Sequence, residues 1–382
     1  MESLISKGRV ECKRPRRWRR VLLCCVTPLV LAAIFCGWVY RAKTHRDLNR
    51  QLFVAVENRD AVTAKSLLAR GADPNIRDLP EQQLTLWQQI KLAFHSSKEA
   101  RDKVDDDSEE GFHRNVLEMA IDLNNMSDSG PHIENVPLVK ALLDAGARVD
   151  GTTSKRHTTP LMTAVLRSDL KTVRLLIEHG ANPLARDDQG ALPIHYLRWG
   201  IEIEKLLVAH GNDVNAADKD GWTPLMWVLY GGGDMQIIRS LIAHGANVNA
   251  RSKDGHSPLL WATQIGKREA IQLFLAHGAV VNVHGRDGTT PLNNAARASV
   301  ETVKLLVGHG ANIEAVDDEG DTPLISSLYS PDGSYLDNVK VLIRHGADVN
   351  HRNKAGDTPL SIAKKSKYSA IVKLLEAAGA KP

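Results

Sequence analysis

Seven segments of this 382-residue chain follow one pattern: TTPLMTA from Thr158, ALPIHYL from Ala191, WTPLMWV from Trp222, HSPLLWA from His256, TTPLNNA from Thr289, DTPLISS from Asp321 and DTPLSIA from Asp357. Their prolines stand at 160, 193, 224, 258, 291, 323 and 359, so the pattern returns at a nearly constant interval. That period constrains the fold more than composition does. A unit this short cannot bury its apolar face alone, so neighbouring units must stack into one continuous core.

A second pattern follows each of these at fixed phase, as in LLIEHGANP, LIAHGANVN, LLVGHGANI and LIRHGADVN, and appears earlier in SLLARGADPN and ALLDAGARVD. Nine such endings imply nine units, the first lacking the TPL start. Thr before Pro is an N-cap whose hydroxyl takes a free helical N–H. Pro at the first helical position has a preset φ and needs no donor. Gly180, Gly245, Gly278, Gly310 and Gly346 follow apolar helices, where a left-handed C-cap favours glycine. These residues resemble the ankyrin repeat, a unit of two antiparallel helices and a hairpin-like loop. The resemblance covers residues 48–382 and implies an all-α repeat solenoid, an ankyrin array of about nine units.

Departures from the pattern mark soft places. Leu192 replaces the capping Thr in the fourth unit, and the eighth unit is lengthened at SPDGSY between its helices. The largest departure lies early, where Gly71 and Gly146 stand more than two periods apart. The extra length is placed at 79–114 and 124–132. The first insert holds LTLWQQIKLAF, an amphipathic helical pattern, and then the acidic run DDDSEE, read as a solvated loop.

The first fifty residues are unlike the rest. They carry 12 Lys/Arg against 3 Asp/Glu, whereas the remainder carries 37 against 42. A mildly acidic body argues against nucleic-acid binding, which needs a basic face. Between two basic clusters runs an uncharged segment, Val21 to Tyr40. As a helix it spans about 30 Å, the thickness of a bilayer's hydrocarbon core. Trp18, Trp38 and Tyr40 lie near its ends, where amphipathic rings favour the interface. The segment is read as an uncleaved transmembrane helix (21–40), with a basic cytoplasmic stretch (1–20) before it and a juxtamembrane linker (41–50) after it. A cleaved signal peptide is the competing reading, but no convincing A-x-A site is present. Eight Lys/Arg precede the segment and four follow it closely, so the positive-inside rule keeps the N-terminus cytoplasmic. The array is then extracytoplasmic, and periplasmic if the source is bacterial. All four cysteines fall at or before Cys36, so the body has neither a disulfide framework nor a Cys-based zinc site.

Enzyme signatures are missing: there is no HExxH, GxSxG or GxxxxGK[ST]. Six of the fifteen histidines, from His179 to His345, fill the same position before the C-cap glycine, a pattern position rather than a metal site. The paired carboxylates Asp187/Asp188 and Asp317/Asp318 read as turn residues. No catalytic, cofactor or metal residue is assigned.

The resemblance implies a protein-binding face built from loop tips and first helices. Trp222 and His256 lie just before the Thr-Pro step. Trp199, Tyr230 and Tyr329 lie at first-helix ends, and Trp227 and Trp261 lie midway along them, with Tyr196 in the unit before. Lys219, Lys253 and Arg286 sit on neighbouring loops. Four of the seven tryptophans fall within units four to six, and large aromatics at surface positions are typical interface anchors. The expected protein is a membrane-anchored, monomeric, non-enzymatic scaffold holding an unidentified partner protein, with the bilayer as its second partner. The alternatives are an enzyme whose site is formed by the 79–114 insert and a secreted array released by signal cleavage.

Overall fold

The computed structural model describes residues 37, 40–76, 115–122, 135–152, 156–329 and 335–381. Segment 21–36 of the apolar run, residues 38–39, the two early inserts and the loop 330–334 lie outside the described residues. Among those described, nine pairs of consecutive helices form one stack. The first pairs 40–57 with Ala61–Ala69, and the second pairs Val116–Asp122 with Val136–Asp144. Five more units run from Pro160–Leu166 and Leu170–Glu178 to Pro291–Ala296 and Val300–Gly308. Pro323–Ser327 with Tyr335–Arg344 and Pro359–Lys365 with Ser369–Ala377 complete the array. First helices pack on first helices and second on second.

The repeated residues build each unit as their chemistry requires. Proline opens each first helix from 160 onward, and the leucine after it is buried: Leu161, Leu225, Leu259, Leu292, Leu324 and Leu360 are all at most 2% exposed. Truncating any one of them to alanine costs about 2–5 kcal/mol. The hydroxyls of Thr159, Ser257, Thr290, Thr322 and Thr358 accept the N–H three residues on. Thr223 is the exception: it makes no cap bond, and its buried hydroxyl has no partner among the described residues. The C-cap glycines adopt left-handed φ, from +78° at Gly278 to +93° at Gly346, which a side chain would strain.

Units are joined by a side-chain ladder on the loops. Four residues after the C-cap glycine, Asn215 donates to the Gly245 carbonyl and accepts the Asn247 N–H. Asn249 spans to Gly278 and Val280, Asn282 to Gly310 and Asn312, and Asn350 to Gly379 and Lys381. Asn75 makes the same two bonds to Gly146 and Arg148, so units one and two are stacked neighbours despite the long stretch of chain between them. Val116 N–H donates to the Ile76 carbonyl at 3.2 Å, so residues 76 and 116 meet at one point of the stack.

Two elements differ from expectation. Residues 41–50, read as a linker, lie within the first helix. In the fourth unit the first helix is a single 3-10 turn, Pro193–Tyr196. The stretch from Pro193 to Gly211 is shorter than its counterpart from Pro160 to Gly180, and the shortfall is taken from that helix. Leu192 provides no side-chain cap, and the buried ring of His195 compensates: its Nδ1 accepts the Leu192 N–H at 3.0 Å and its Nε2 donates to the Ala216 carbonyl at 3.0 Å.

A candidate protein-binding face

The hairpin loops present the face. Six residues before the proline, Asp187, Asp218 and Asp317 each accept two loop N–H groups on one carboxylate oxygen. Asp187 and Asp317 are thus turn residues, as expected, and Asp218 is a third. Backbone bonds tie neighbouring tips together: Lys219 N–H donates to the Gln189 carbonyl, Lys253 N–H to Asp220 and Asp318 N–H to Asp287. The second oxygen of the turn carboxylate reaches the first helix. Tyr196 donates its hydroxyl to Asp187 Oδ2 at 2.5 Å, and Trp227 donates its indole N–H to Asp218 Oδ2 at 2.8 Å. Burial, together with the adjacent Asp187, pushes the Tyr196 hydroxyl well above the ordinary tyrosine range, so it stays a donor.

On this frame the rings of units four to six come together. Trp222 is the hub: its ring centroid lies 5.4 Å from Trp261, 5.7 Å from Tyr230, 6.3 Å from His256 and 6.4 Å from Trp227. Tyr196 stacks on Trp227 at 6.2 Å, and Tyr230 lies 5.7 Å from Trp261. The contacts with Trp222, Trp227 and Trp261 are mostly edge-to-face, the geometry that ring quadrupoles favour. Tyr230 is 63% exposed and caps the cluster towards solvent, while the tryptophans are half-buried. Trp227 and Trp261 therefore both pad the stack and floor the exposed surface.

The other expected residues stand apart. Trp199, placed by sequence at a first-helix end, lies beyond the shortened turn; it is 53% exposed and has no ring contact with the cluster. Tyr329 is 48% exposed in unit eight, where burial and the nearby Asp321 raise its hydroxyl pKa. Lys219, Lys253 and Arg286 belong to successive tips, Arg286 reaching Asp254 at 3.2 Å.

One polar group escaped the sequence reading. Glu204 is fully buried; its Oε2 accepts the Ser240 hydroxyl at 2.6 Å, and His244 Nδ1 lies 2.9 Å from Oε1. The repeat phase holds the signal. Seven residues before the C-cap glycine, other units carry Val173, Ile238, Ile271, Val303 or Val339, and only the fourth places a carboxylate there.

Comparison with known proteins agrees with this architecture. The family model described as "Ankyrin repeats (3 copies)" matches residues 131–218, 197–285 and 266–353, more than half of the chain. The chain belongs to the ankyrin-repeat family. Among curated proteins, this ankyrin chain is 30% identical over 153 residues to the human (Homo sapiens) mitochondrial disaggregase, covering 39% of the chain and 20% of that protein. The cattle (Bos taurus) mitochondrial disaggregase is 30% identical over 149 residues, covering 39% of the chain and 16% of that protein. The human 2-5A-dependent ribonuclease is 38% identical over 74 residues, covering 19% of the chain and 10% of that protein. The chain thus spans at most a fifth of the curated relatives it matches. No helix among the described residues is long and apolar enough to cross a membrane; most of the run 21–40 lies outside them.

Proposed function

We propose that this ankyrin array is a membrane-held scaffold that captures a partner protein on the aromatic face of units four to six, with no catalysis of its own. The observation that carries this reading is the Trp222-centred ring cluster, half-buried beneath and capped by the exposed Tyr230. A rigid aromatic surface on a bonded loop ladder loses little entropy on binding, which suits it as an interface anchor. The relatives are named for a disaggregase and a ribonuclease, and their matches cover too little of either to carry an activity across. In this proposal Val21–Tyr40 crosses the bilayer, the basic N-terminus stays cytoplasmic and the array lies outside.

A photo-crosslinking residue at Tyr230 of the membrane-held chain tests the face. It should trap a discrete partner, while the same residue at the exposed Lys205 on a second helix should not. Equal trapping at both sites would overturn the assignment of the face. A reporter active only outside the cytoplasm, fused to Pro382, tests the topology, and silence there with a cytoplasmic reporter active would reverse it.

A further inference from the structure

The aromatic face of units four to six is one-sided in its hydrogen bonding. Around the rings, the acceptors are consumed by the protein itself. Asp187 and Asp218 each take two loop N–H groups on one carboxylate oxygen and a ring donor on the other. The carbonyls of Gln189 and Asp220 accept the N–H of the next loop tip. Those of Trp222 and His256 close their own hairpins by accepting from Asp218 and Ser252.

The donors, by contrast, are left over. The Trp222 indole N–H has no partner among the described residues and, unlike that of Trp261, it reaches solvent. The hydroxyl of the exposed Tyr230 is unpaired among them too. So are the ammonium groups of Lys219 and Lys253 on the tips above. An indole N–H and an ammonium group can only donate. Charge sets no sign on this surface, because one tip carries Lys219 beside Asp220 and the next carries Lys253 beside Asp254. Its relief is uneven. Tyr230 stands at 84° to Trp222 and 77° to Trp227, and Trp222 stands at 73° to Trp261. Rings set at such angles make a ridged surface rather than a flat one.

We infer that this face receives a proline-rich segment in the polyproline II conformation. Such a segment makes no internal hydrogen bonds, turns its carbonyls outward and lacks an N–H at every proline. It is thus rich in acceptors and poor in donors, the complement of the face. Its carbonyls meet Trp222 Nε1 and the Tyr230 hydroxyl, and its pyrrolidine rings lie against the aromatic ridges. Its backbone is ordered before it binds, so little entropy is lost. Other occupants fit less well. A β-strand brings N–H groups to hairpin carbonyls that are already engaged. A helix spends its carbonyls internally and leaves the free donors buried and unpaired. A run of one charge gains little from tips of balanced sign. The inference rests on the aromatic-face reading above and names the chemistry of the partner that the face takes.

The test pans a random peptide library, displayed on phage, against the full chain and removes every peptide that also binds the Tyr230→Ala chain. Peptides that survive should share prolines at recurrent positions. Synthesised and titrated against tryptophan fluorescence, they should bind the Tyr230→Phe chain about fivefold more weakly, the worth of one neutral hydrogen bond. That variant keeps the ring and removes only the donor, and an unchanged circular dichroism spectrum verifies its fold. Survivors without prolines, whether acidic, basic or helix-forming, would overturn the inference and spare the face. An affinity that Tyr230→Phe leaves untouched would remove the donor from recognition and overturn the inference as well. A library in which no peptide depends on Tyr230 would overturn both the inference and the face.

Discussion

Trp227 donates its indole N–H to Asp218 across 2.8 Å, and one unit on Trp261 has no such acceptor because Ser252 stands where Asp218 does. Ser252 keeps only the loop bond from His256 N–H, at 3.1 Å, and Trp261 Nε1 is buried without a partner among the described residues. Ser252→Asp supplies that acceptor and a second loop bond. It should stabilise the array by about 1 kcal/mol, read as a higher urea midpoint at unchanged m-value. Trp227→Phe should lower the midpoint more than Trp261→Phe, since only the former breaks a bond. The reverse order would dismiss the turn carboxylate as a support for the ring.

The Glu204–Ser240 contact yields a non-additive prediction. Ser240 stands where Leu175, Leu206, Leu273 and Leu305 stand in other units, so two polar substitutions face each other across the junction of units four and five. Ser240→Leu alone leaves a buried carboxylate oxygen without its donor and should cost about 3 kcal/mol. Glu204→Val alone orphans the Ser240 hydroxyl and should cost about 1–3 kcal/mol. Together they restore the apolar row, and the double variant should equal or exceed the parent in stability. A double-mutant cycle by urea denaturation reads the coupling, and additive losses would mean the pair is not a unit.

These junctions show what a repeat makes legible. The phase of the prolines and glycines fixes the nine units, their caps and the buried leucines, because each recurs under the same packing demand. Meetings between units are harder to read. The ladder amides recur at a fixed position and are visible in retrospect, whereas the Glu204–Ser240 pairing depends on which rows touch between second helices. The ring cluster was half legible: Trp227 and Trp261 share a repeat position, but Trp222 as the hub needs the packing of two units. Trp199 falls beyond the 3-10 turn and not at a first-helix end, because the shortfall in unit four does not announce which element gives it up.

His195 makes unit four sensitive to acid. Burial holds its pKa below the ordinary histidine value, and its Nδ1 must stay unprotonated to accept the Leu192 N–H. Above about pH 6.5 both folded and unfolded forms are neutral at this site, and its contribution is complete. As pH falls through that value the unfolded chain binds the proton first, so stability is lost towards the lower folded pKa. His195→Asn removes the titration and keeps an acceptor, as Asn293 does for the Thr290 N–H at the same position of unit seven. Between about pH 7.5 and pH 5.5, the parent should lose about 1 kcal/mol relative to this variant in urea denaturation. Parallel pH profiles would contradict the assignment.

Tyr230 separates binding from packing at the aromatic face. Its ring is mostly in water, so Tyr230→Ala forfeits only edge contacts with Trp222 and Trp227 and a tilted one with Trp261, and should cost under about 1 kcal/mol of stability. Trp222→Ala removes the hub of four ring contacts and should cost about 2–4 kcal/mol. A loss of capture in that variant alone is therefore ambiguous. If the face binds a partner, Tyr230→Ala should weaken its capture roughly thirtyfold or more, the effect of an interface anchor, with the melting temperature nearly unchanged. Trp199→Ala lies outside the cluster and should leave capture within about twofold, the difference expected of a peripheral residue. A Tyr230→Ala chain that binds as tightly as the parent, alongside a Trp199→Ala chain that does not, would move the binding face to the loop after the 3-10 turn.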